Sequence, residues 1–147
     1  MDKHAILVTG SREWNDREMI EGVLRNYQEG TVLIHGDAIG ADLYADDIAQ
    51  QYRFMRVMVP LPDWKGGSGS ALKNKILIET LNGYRELGYM TKVLYFCVTD
   101  KTKTRLSIVN LAKEHDLDYR IYTLAREGHD RYDGSLALIR GGIHDDV

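Results

Sequence analysis

The chain alternates between short apolar runs and longer segments in which apolar residues recur every three or four positions. Short runs of this kind are typical of strands buried on both faces, and the longer segments are typical of helices that bury one face. The runs predict strands at residues 5–8, 31–34, 55–59, 92–96 and 119–122. The segments between them predict helices at residues 15–27, 41–49, 71–87 and 102–115.

The residues at the ends of these segments support the same division. Asn15 with Glu18 three positions later fits a capping box at the start of the first helix, and Gly30 is expected to end that helix. Pro60 and Pro62 end the third strand, because proline has no N–H to donate to a neighbouring strand. Strands joined by helices predict an α/β fold, a Rossmann-like three-layer sandwich with a mainly parallel sheet in the order 3-2-1-4-5.

The regular alternation stops near residue 124. We therefore expect a single folded domain over residues 1–124 and a C-terminal extension over residues 125–147. Within that extension, residues 136–139 are apolar enough to add a short element or to dock on a partner, and residues 141–147 are expected to be frayed. The stretch 65–70, Lys-Gly-Gly-Ser-Gly-Ser, predicts a flexible loop within the domain.

Composition and charge narrow the range of functions. The chain has 147 residues, 44% of them hydrophobic and 28% charged, as in an ordinary globular protein. No run approaches the roughly 20 apolar residues of a membrane span, and no signal peptide is visible. The net charge of −3 and the scattered basic residues argue against duplex nucleic acid. A cytoplasmic location is the expectation.

Cysteine and histidine usage gives no sign of a metal or a disulfide. The one cysteine, Cys97, has no partner for an intramolecular disulfide. The five histidines are dispersed along the chain, so no zinc-binding spacing is present. We expect neither a metal nor a cofactor.

Four loops that follow predicted strands are rich in glycine, hydroxyl groups and charge. They are residues 9–14, 35–42, 61–70 and 99–105. In a parallel sheet, such loops meet beyond the carboxyl ends of the strands, where ligands bind. Their convergence predicts a binding site there.

The first loop offers groups for a phosphate and a base. Thr9, Gly10 and Ser11 supply hydroxyls and a close backbone approach, and Arg12 can pair with a phosphate in bidentate fashion. Trp14 is expected either to stack on a base or to cover the core. The alternative role for Arg12 is a surface ion pair with Glu13 or Asp16.

The second loop is His35-Gly36-Asp37-Ala38-Ile39-Gly40-Ala41-Asp42. Gly36 and Gly40 flank a strand-to-helix turn whose free amides favour an anion. Asp37 and Asp42 are candidates for a ribose hydroxyl, with helix capping as the alternative for Asp42. His35 at the strand end is more often structural than catalytic.

The remaining candidates lie on the third and fourth loops and on the helices that follow them. Asp63 and Trp64 place an acceptor and an aromatic ring at the rim, although Trp64 also fits the core. Lys73 and Asn74 lie near a helix start, and Lys103 belongs to a local basic group. Solvated lysines are the alternative reading for Lys73 and Lys103.

These motifs together resemble the YspA-type, cpYpsA-related branch of the SLOG superfamily. The resemblance rests on residues 8–14, 35–42, Asp63-Trp64 and Lys73-Asn74, and covers about residues 4–122. The superfamily includes the Lonely Guy phosphoribohydrolases and the DNA-processing protein DprA. The resemblance implies a Rossmann-like fold and the binding of nucleotides or nucleotide-derived ligands. It also makes a homo-oligomer plausible.

The chain departs from that family at several positions. The branch usually has glycine where Asp37 stands, an alanine-glycine pair where Gly69-Ser70 stand, and arginine where Lys73 stands. The superfamily's Pro-Gly-Gly-x-Gly-Thr loop after strand four is replaced here by residues 97–104, which keep hydroxyls and lysines but no glycine. The acid that follows this loop in the Lonely Guy hydrolases has no counterpart in residues 105–110.

Three functions are compatible with these residues. The leading hypothesis is a sensor or sequestering protein for a nucleotide-derived signal. The alternative is a hydrolase that cleaves an N-glycosidic or phosphoester bond, with His35, Asp37, Asp42 and Asp63 as acid–base candidates. Binding of single-stranded nucleic acid is a third, which the acidic balance disfavours.

Overall fold

The structure is a computed structural model of the chain, and it describes residues 2–60, 68–98 and 102–124. Within these ranges, strands and helices alternate along the chain. The strands are β1 (His4–Gly10), β2 (Val32–His35), β3 (Met55–Met58), β4 (Met90–Val98) and β5 (Tyr119–Leu124). The helices are α1 (Arg17–Leu24), α2 (Ala41–Gln51), α3 (Ser68–Glu86) and α4 (Thr102–Glu114).

The five strands form one parallel sheet in the order β3-β2-β1-β4-β5. β1 lies at the centre, where Leu7 is in register with Ile34 of β2 and with Val93 of β4. The predicted Rossmann-like order 3-2-1-4-5 is therefore confirmed. Because all strands point the same way, their carboxyl ends lie along one edge of the sheet.

Two helices cover each face of the sheet. Alternate residues of β1 separate the two layers, since successive side chains of a strand point to opposite faces. Ile6 and Val8 pack with Ile20 of α1 and with Ala45 of α2. On the other face, Ala5 and Leu7 belong to a core cluster with residues of α3 and α4. The result is the predicted three-layer sandwich.

The edge strand β3 differs from the expectation that every strand is covered on both faces. The side chains of Met55 and Met58 are 57% and 54% exposed. β3 is short and pairs only with β2 among the described strands, so it lies at the edge of the sheet. Its apolar side chains are therefore only partly covered.

Three predicted helix boundaries were wrong, both ends of α1 and the start of α3. The N-cap of α1 is Asp16, whose carboxylate accepts a hydrogen bond from the Met19 N–H at 3.0 Å, and not Asn15. α1 ends at Leu24, six residues before Gly30, whose φ of 91° places it in a later turn. Residues 68–70, predicted as part of a flexible loop, form the first turn of α3.

Of the helices in the described ranges, none combines the length and the apolar character that crossing a bilayer requires.

Candidate ligand-binding site

The end of β1 is pressed against β4. A Cβ atom on Gly10 would lie 2.1 Å from the Phe96 carbonyl oxygen, which no side chain tolerates. The next residue, Ser11, donates its backbone N–H to the same oxygen at 2.8 Å. Glycine at position 10 therefore lets the first loop leave the sheet close to β4. The Ser11 amide is therefore used inside the fold and is not free to donate to a ligand.

The first loop also touches the start of α2. Gly40 is the N-cap of α2 and has a φ of 88°, a conformation that favours glycine. A Cβ atom there would lie 2.5 Å from the Ser11 carbonyl oxygen and 2.8 Å from that of Arg12. The backbones of the loops after β1 and β2 are thus in direct contact beside the N-terminus of α2.

Helix α3 reaches the same place through Lys73. The Cδ atom of Lys73 lies 3.8 Å from where a Cβ atom of Gly36 would stand. The backbone N–H of Gly36 donates to Oδ2 of Asp42 at 3.0 Å. The turn after β2, the first turn of α2 and helix α3 therefore meet, as the sequence predicted for Gly36, Asp42 and Lys73.

Asp42 is the most unusual group in this region. Its side chain is buried, and burial raises the pKa of the carboxyl to about 6. The positive charges of Lys73 and His35 and the backbone N–H groups of Gly36 and Ala38 act in the opposite direction and lower that pKa. A buried carboxylate whose pKa lies near neutrality is a frequent mark of a functional site.

One oxygen of this carboxylate has no hydrogen-bond partner among the described residues. Oδ2 of Asp42 accepts from the Gly36 N–H, whereas no described donor reaches the buried Oδ1 with hydrogen-bond geometry. The Ala38 N–H lowers the pKa of the carboxyl but forms no hydrogen bond of normal geometry with it. Lys73 makes no hydrogen bond or ion pair to it, although the two groups interact through their charges. A buried acceptor left without a donor carries a free-energy cost of about 1–3 kcal/mol, so Oδ1 is suited to a donor beyond the described residues.

His35 is buried and engaged on both sides of its ring. Nδ1 contacts the Gly36 carbonyl oxygen, and Nε2 contacts Oδ1 of Asp46 at 2.8 Å. Asp46 in turn accepts a hydrogen bond from Nη1 of Arg56 at 2.9 Å through its other oxygen. His35 is therefore held by the fold, in agreement with a structural role.

Trp14 lies in the core. Its side chain is 1% exposed and packs edge-on against Phe96, with ring centroids 5.3 Å apart. Its indole Nε1 donates to the Asp16 carbonyl oxygen at 2.8 Å. Of the two alternatives for Trp14, the structure shows the core-covering one, and the indole presents no open face on which a base could stack.

The other candidates divide into exposed and buried groups. Arg12 and Asp37 have exposed side chains, and no hydrogen bond or ion pair to a described side chain engages the Arg12 guanidinium. The predicted alternative, a surface ion pair of Arg12, is therefore absent among those side chains. Thr9 and Asn74 are buried, and Asn74 donates to the Ser107 hydroxyl of α4 at 3.2 Å. Asn74 thus links α3 to α4.

Three candidates lie outside what the structure describes. Asp63 and Trp64 fall in residues 61–67, outside the described ranges. Lys103 belongs to α4, but its side chain is not among those described. Within the described ranges, no group of three or more His, Cys, Asp or Glu side chains is placed to hold a metal ion.

Sequence reasoning missed two residues of this region, Asp46 and Arg56. Asp46 lies four positions after Asp42, so the sequence does indicate that the two share a face of α2. Arg56 of β3 is paired with Leu33 of β2, and Leu33 precedes His35 by two positions in the same strand. That proximity follows from strand register, which the sequence does not reveal.

Comparison with known proteins agrees with the motifs of the first two loops. The search of curated proteins produced no match to this chain. Residues 4–67 match the model of the YspA, cpYpsA-related SLOG family, a range that contains β1 to β3 and both loops. The resemblance predicted from the sequence is confirmed over that range, so the first part of the chain is similar to the YspA, cpYpsA-related SLOG family.

Proposed function

We propose that the protein binds a nucleotide or a nucleotide-derived, phosphate-bearing ligand at the carboxyl ends of its parallel strands. The observation that carries the proposal is Oδ1 of Asp42, which is buried near Lys73 and has no hydrogen-bond donor among the described residues; Lys73 forms no ion pair among them. A ribose hydroxyl supplies the donor that this oxygen lacks, and a phosphate supplies the negative charge that suits the lysine. The match of residues 4–67 to the SLOG family model supports the same class of ligand.

The surrounding groups fit a ligand of this polarity. The N-terminus of α2 carries a partial positive charge, which favours a phosphate. Arg12 lies on the loop whose backbone touches that N-terminus, and its guanidinium is exposed. The Arg12 backbone touches the start of α2, and the Lys73 side chain lies beside Gly36, which donates to Asp42 of the same helix. Since Trp14 is in the core, we assign it no contact with a base.

Isothermal titration with AMP, cyclic AMP, ADP-ribose, adenosine and inorganic phosphate tests the proposal. We expect a phosphate-bearing nucleoside to bind more tightly than adenosine or phosphate alone. Lys73→Gln is expected to weaken binding about tenfold or more, the worth of a charge-assisted hydrogen bond. Lys75→Gln, an exposed lysine on the same helix, is the matched control and should leave affinity unchanged. Absence of binding by every compound at millimolar concentration contradicts the proposal.

A second candidate is hydrolysis of an N-glycosidic or phosphoester bond of the same ligand, and the pKa of Asp42 favours it. A carboxyl with a pKa of about 6 can both accept and donate a proton near neutral pH. Base release from nucleoside monophosphates, followed by chromatography, separates this candidate from simple binding. If Asp42 is the acid or base, Asp42→Asn should lower the rate by about 10²–10⁴-fold. Unchanged turnover in that variant removes Asp42 from the role.

A further inference from the structure

His35, Asp46 and Arg56 form a chain of contacts beside the candidate site. It begins at Arg56 on the edge strand β3, where the side chain is 38% exposed. It passes through the two oxygens of Asp46 on α2 and ends at the buried ring of His35 on β2. The function proposed above uses none of these three residues. At its buried end, His35 contacts the carbonyl oxygen of Gly36.

The chemistry of the contacts indicates which atoms carry protons. A peptide carbonyl only accepts hydrogen bonds, so Nδ1 of His35 must donate to the Gly36 oxygen. A carboxylate also only accepts, and the other oxygen of Asp46 already accepts from Arg56. Nε2 of His35 therefore donates to Asp46. Arg56 and His35 thus both donate to Asp46, and His35 also donates to Gly36.

The backbone of Gly36 is consequently held from two sides. Its carbonyl accepts from His35, and its N–H donates to Asp42. A displacement of Gly36 would therefore alter the bond that orients the Asp42 carboxylate. Among the described residues, the charged groups that interact with His35 are the carboxylates of Asp42 and Asp46 on α2, and the cations that act on those carboxylates are Lys73 on α3 and Arg56 on β3.

We propose that His35, Asp46 and Arg56 are positioning residues that orient Gly36 and, through it, the Asp42 carboxylate in its ligand-binding geometry. The ligand-binding part of this inference rests on the proposed function. The orientation of Asp42 does not, because it is a property of the unliganded protein. The two parts are therefore tested by different measurements on the same variants.

The first measurement is the titration of Asp42, followed by carbon-13 NMR of its carboxyl in the full-length protein. In Asp46→Ala, Nε2 of His35 loses its acceptor, and Gly36 loses part of its support. Because Gly36 and His35 both lower the pKa of Asp42, that pKa is expected to rise by about half a unit or more. Asp46→Asn keeps an oxygen for Nε2 and should lie closer to the wild type. The matched control is Asp47→Ala, whose carboxylate pairs with Arg17 and does not contact His35.

The second measurement is ligand affinity, with ADP-ribose as the probe. We expect Asp46→Ala to weaken binding about three- to tenfold and Asp47→Ala to leave it unchanged. Arg56→Gln is a milder variant for use if Asp46→Ala fails to fold, which its circular dichroism reveals. An Asp42 titration that is the same in these variants and in Asp47→Ala overturns the inference. If no ligand binds but the Asp42 titration shifts, the positioning role stands and the proposed function fails.

Discussion

Asp42 connects the stability of the protein to pH. Its carboxyl has a pKa of about 6 in the folded chain, against about 3.9 for an unperturbed aspartate. The folded state therefore binds this proton more tightly than the unfolded state does. The contribution of the group to stability is greatest below pH 3.9 and is lost as pH rises through 6. At pH 7 the buried charge costs about 3 kcal/mol, from 1.4 kcal/mol per pKa unit.

Asp42→Asn should therefore change stability in a pH-dependent way. The amide removes the buried charge and keeps an oxygen that can accept from Gly36. Relative to the wild type, the variant should gain stability between pH 4 and pH 7, by up to about 3 kcal/mol. Urea unfolding of both proteins at several pH values measures the difference. A difference that is constant across this range contradicts the assignment of the raised pKa to Asp42.

Trp14 provides a second prediction at a single residue. Trp14→Phe leaves an unfilled volume beside Phe96 and removes the hydrogen bond to the Asp16 carbonyl. We expect the free energy of unfolding to fall by about 1–3 kcal/mol. Affinity for ADP-ribose should stay within about twofold, because the indole lies in the core. A large loss of affinity in a stably folded variant would restore Trp14 to the site.

Helix α1 shows why its residues alone did not indicate where it begins. Asn15 and Asp16 are both good N-caps, and Glu18 three residues after Asn15 completes a capping box. The structure uses Asp16, whose carboxylate reaches the Met19 N–H. The choice between adjacent capping residues depends on backbone angles set by the preceding turn. Here that turn includes the bond from the Trp14 N–H to the Ser11 carbonyl, at 3.2 Å.

The pair of neighbouring residues gives a matched test of this helix start. Asp16→Ala removes the observed cap and should lower the free energy of unfolding by about 1 kcal/mol. Asn15→Ala, at an exposed position next to it, should have little effect. Thermal or urea unfolding of the two variants measures both values. A larger loss in Asn15→Ala would favour the capping box predicted from the sequence.

The elements around the site were predictable to the extent that they depend on local sequence. Glycines and polar residues after β1 and β2 indicated the loops, and parallel strands bring such loops to one edge. The contacts of Asp42 with Gly36 and of His35 with Asp46 were not predictable, because they arise from packing between elements. The pKa of Asp42 follows from burial, which depends on the whole of α2 and its neighbours.

At the scale of the whole molecule, the strand order followed from general rules. Apolar strands joined by helices indicate a parallel sheet covered on both faces, and right-handed crossovers leave few ways to arrange the strands. The exposed edge strand β3 was the exception, since Met55 and Met58 look as apolar as any core residue. Apolar sequence alone does not distinguish an edge strand from a central one.

The division of the chain at residue 124 is a prediction that a shortened protein tests. A chain ending at Leu124 keeps all five strands and all four helices of the described ranges. We expect it to fold with a melting temperature within a few degrees of the full chain, because the core clusters lie within residues 5–122. Light scattering of both chains tests the predicted homo-oligomer. Failure of the shortened chain to fold would show that residues 125–147 belong to the domain.

The central position of β1 has a consequence for synthesis on the ribosome. β1 is made first, yet one of its two neighbours in the sheet is β4, which begins about eighty residues later at Met90. The half composed of β1, β2 and β3 can pair as it emerges, but one side of β1 then stays open, with its backbone amides and carbonyls unpaired. A nascent chain that pauses before Met90 therefore exposes the unpaired edge of β1. Recognition of the nascent chain by a chaperone should be strongest at that chain length.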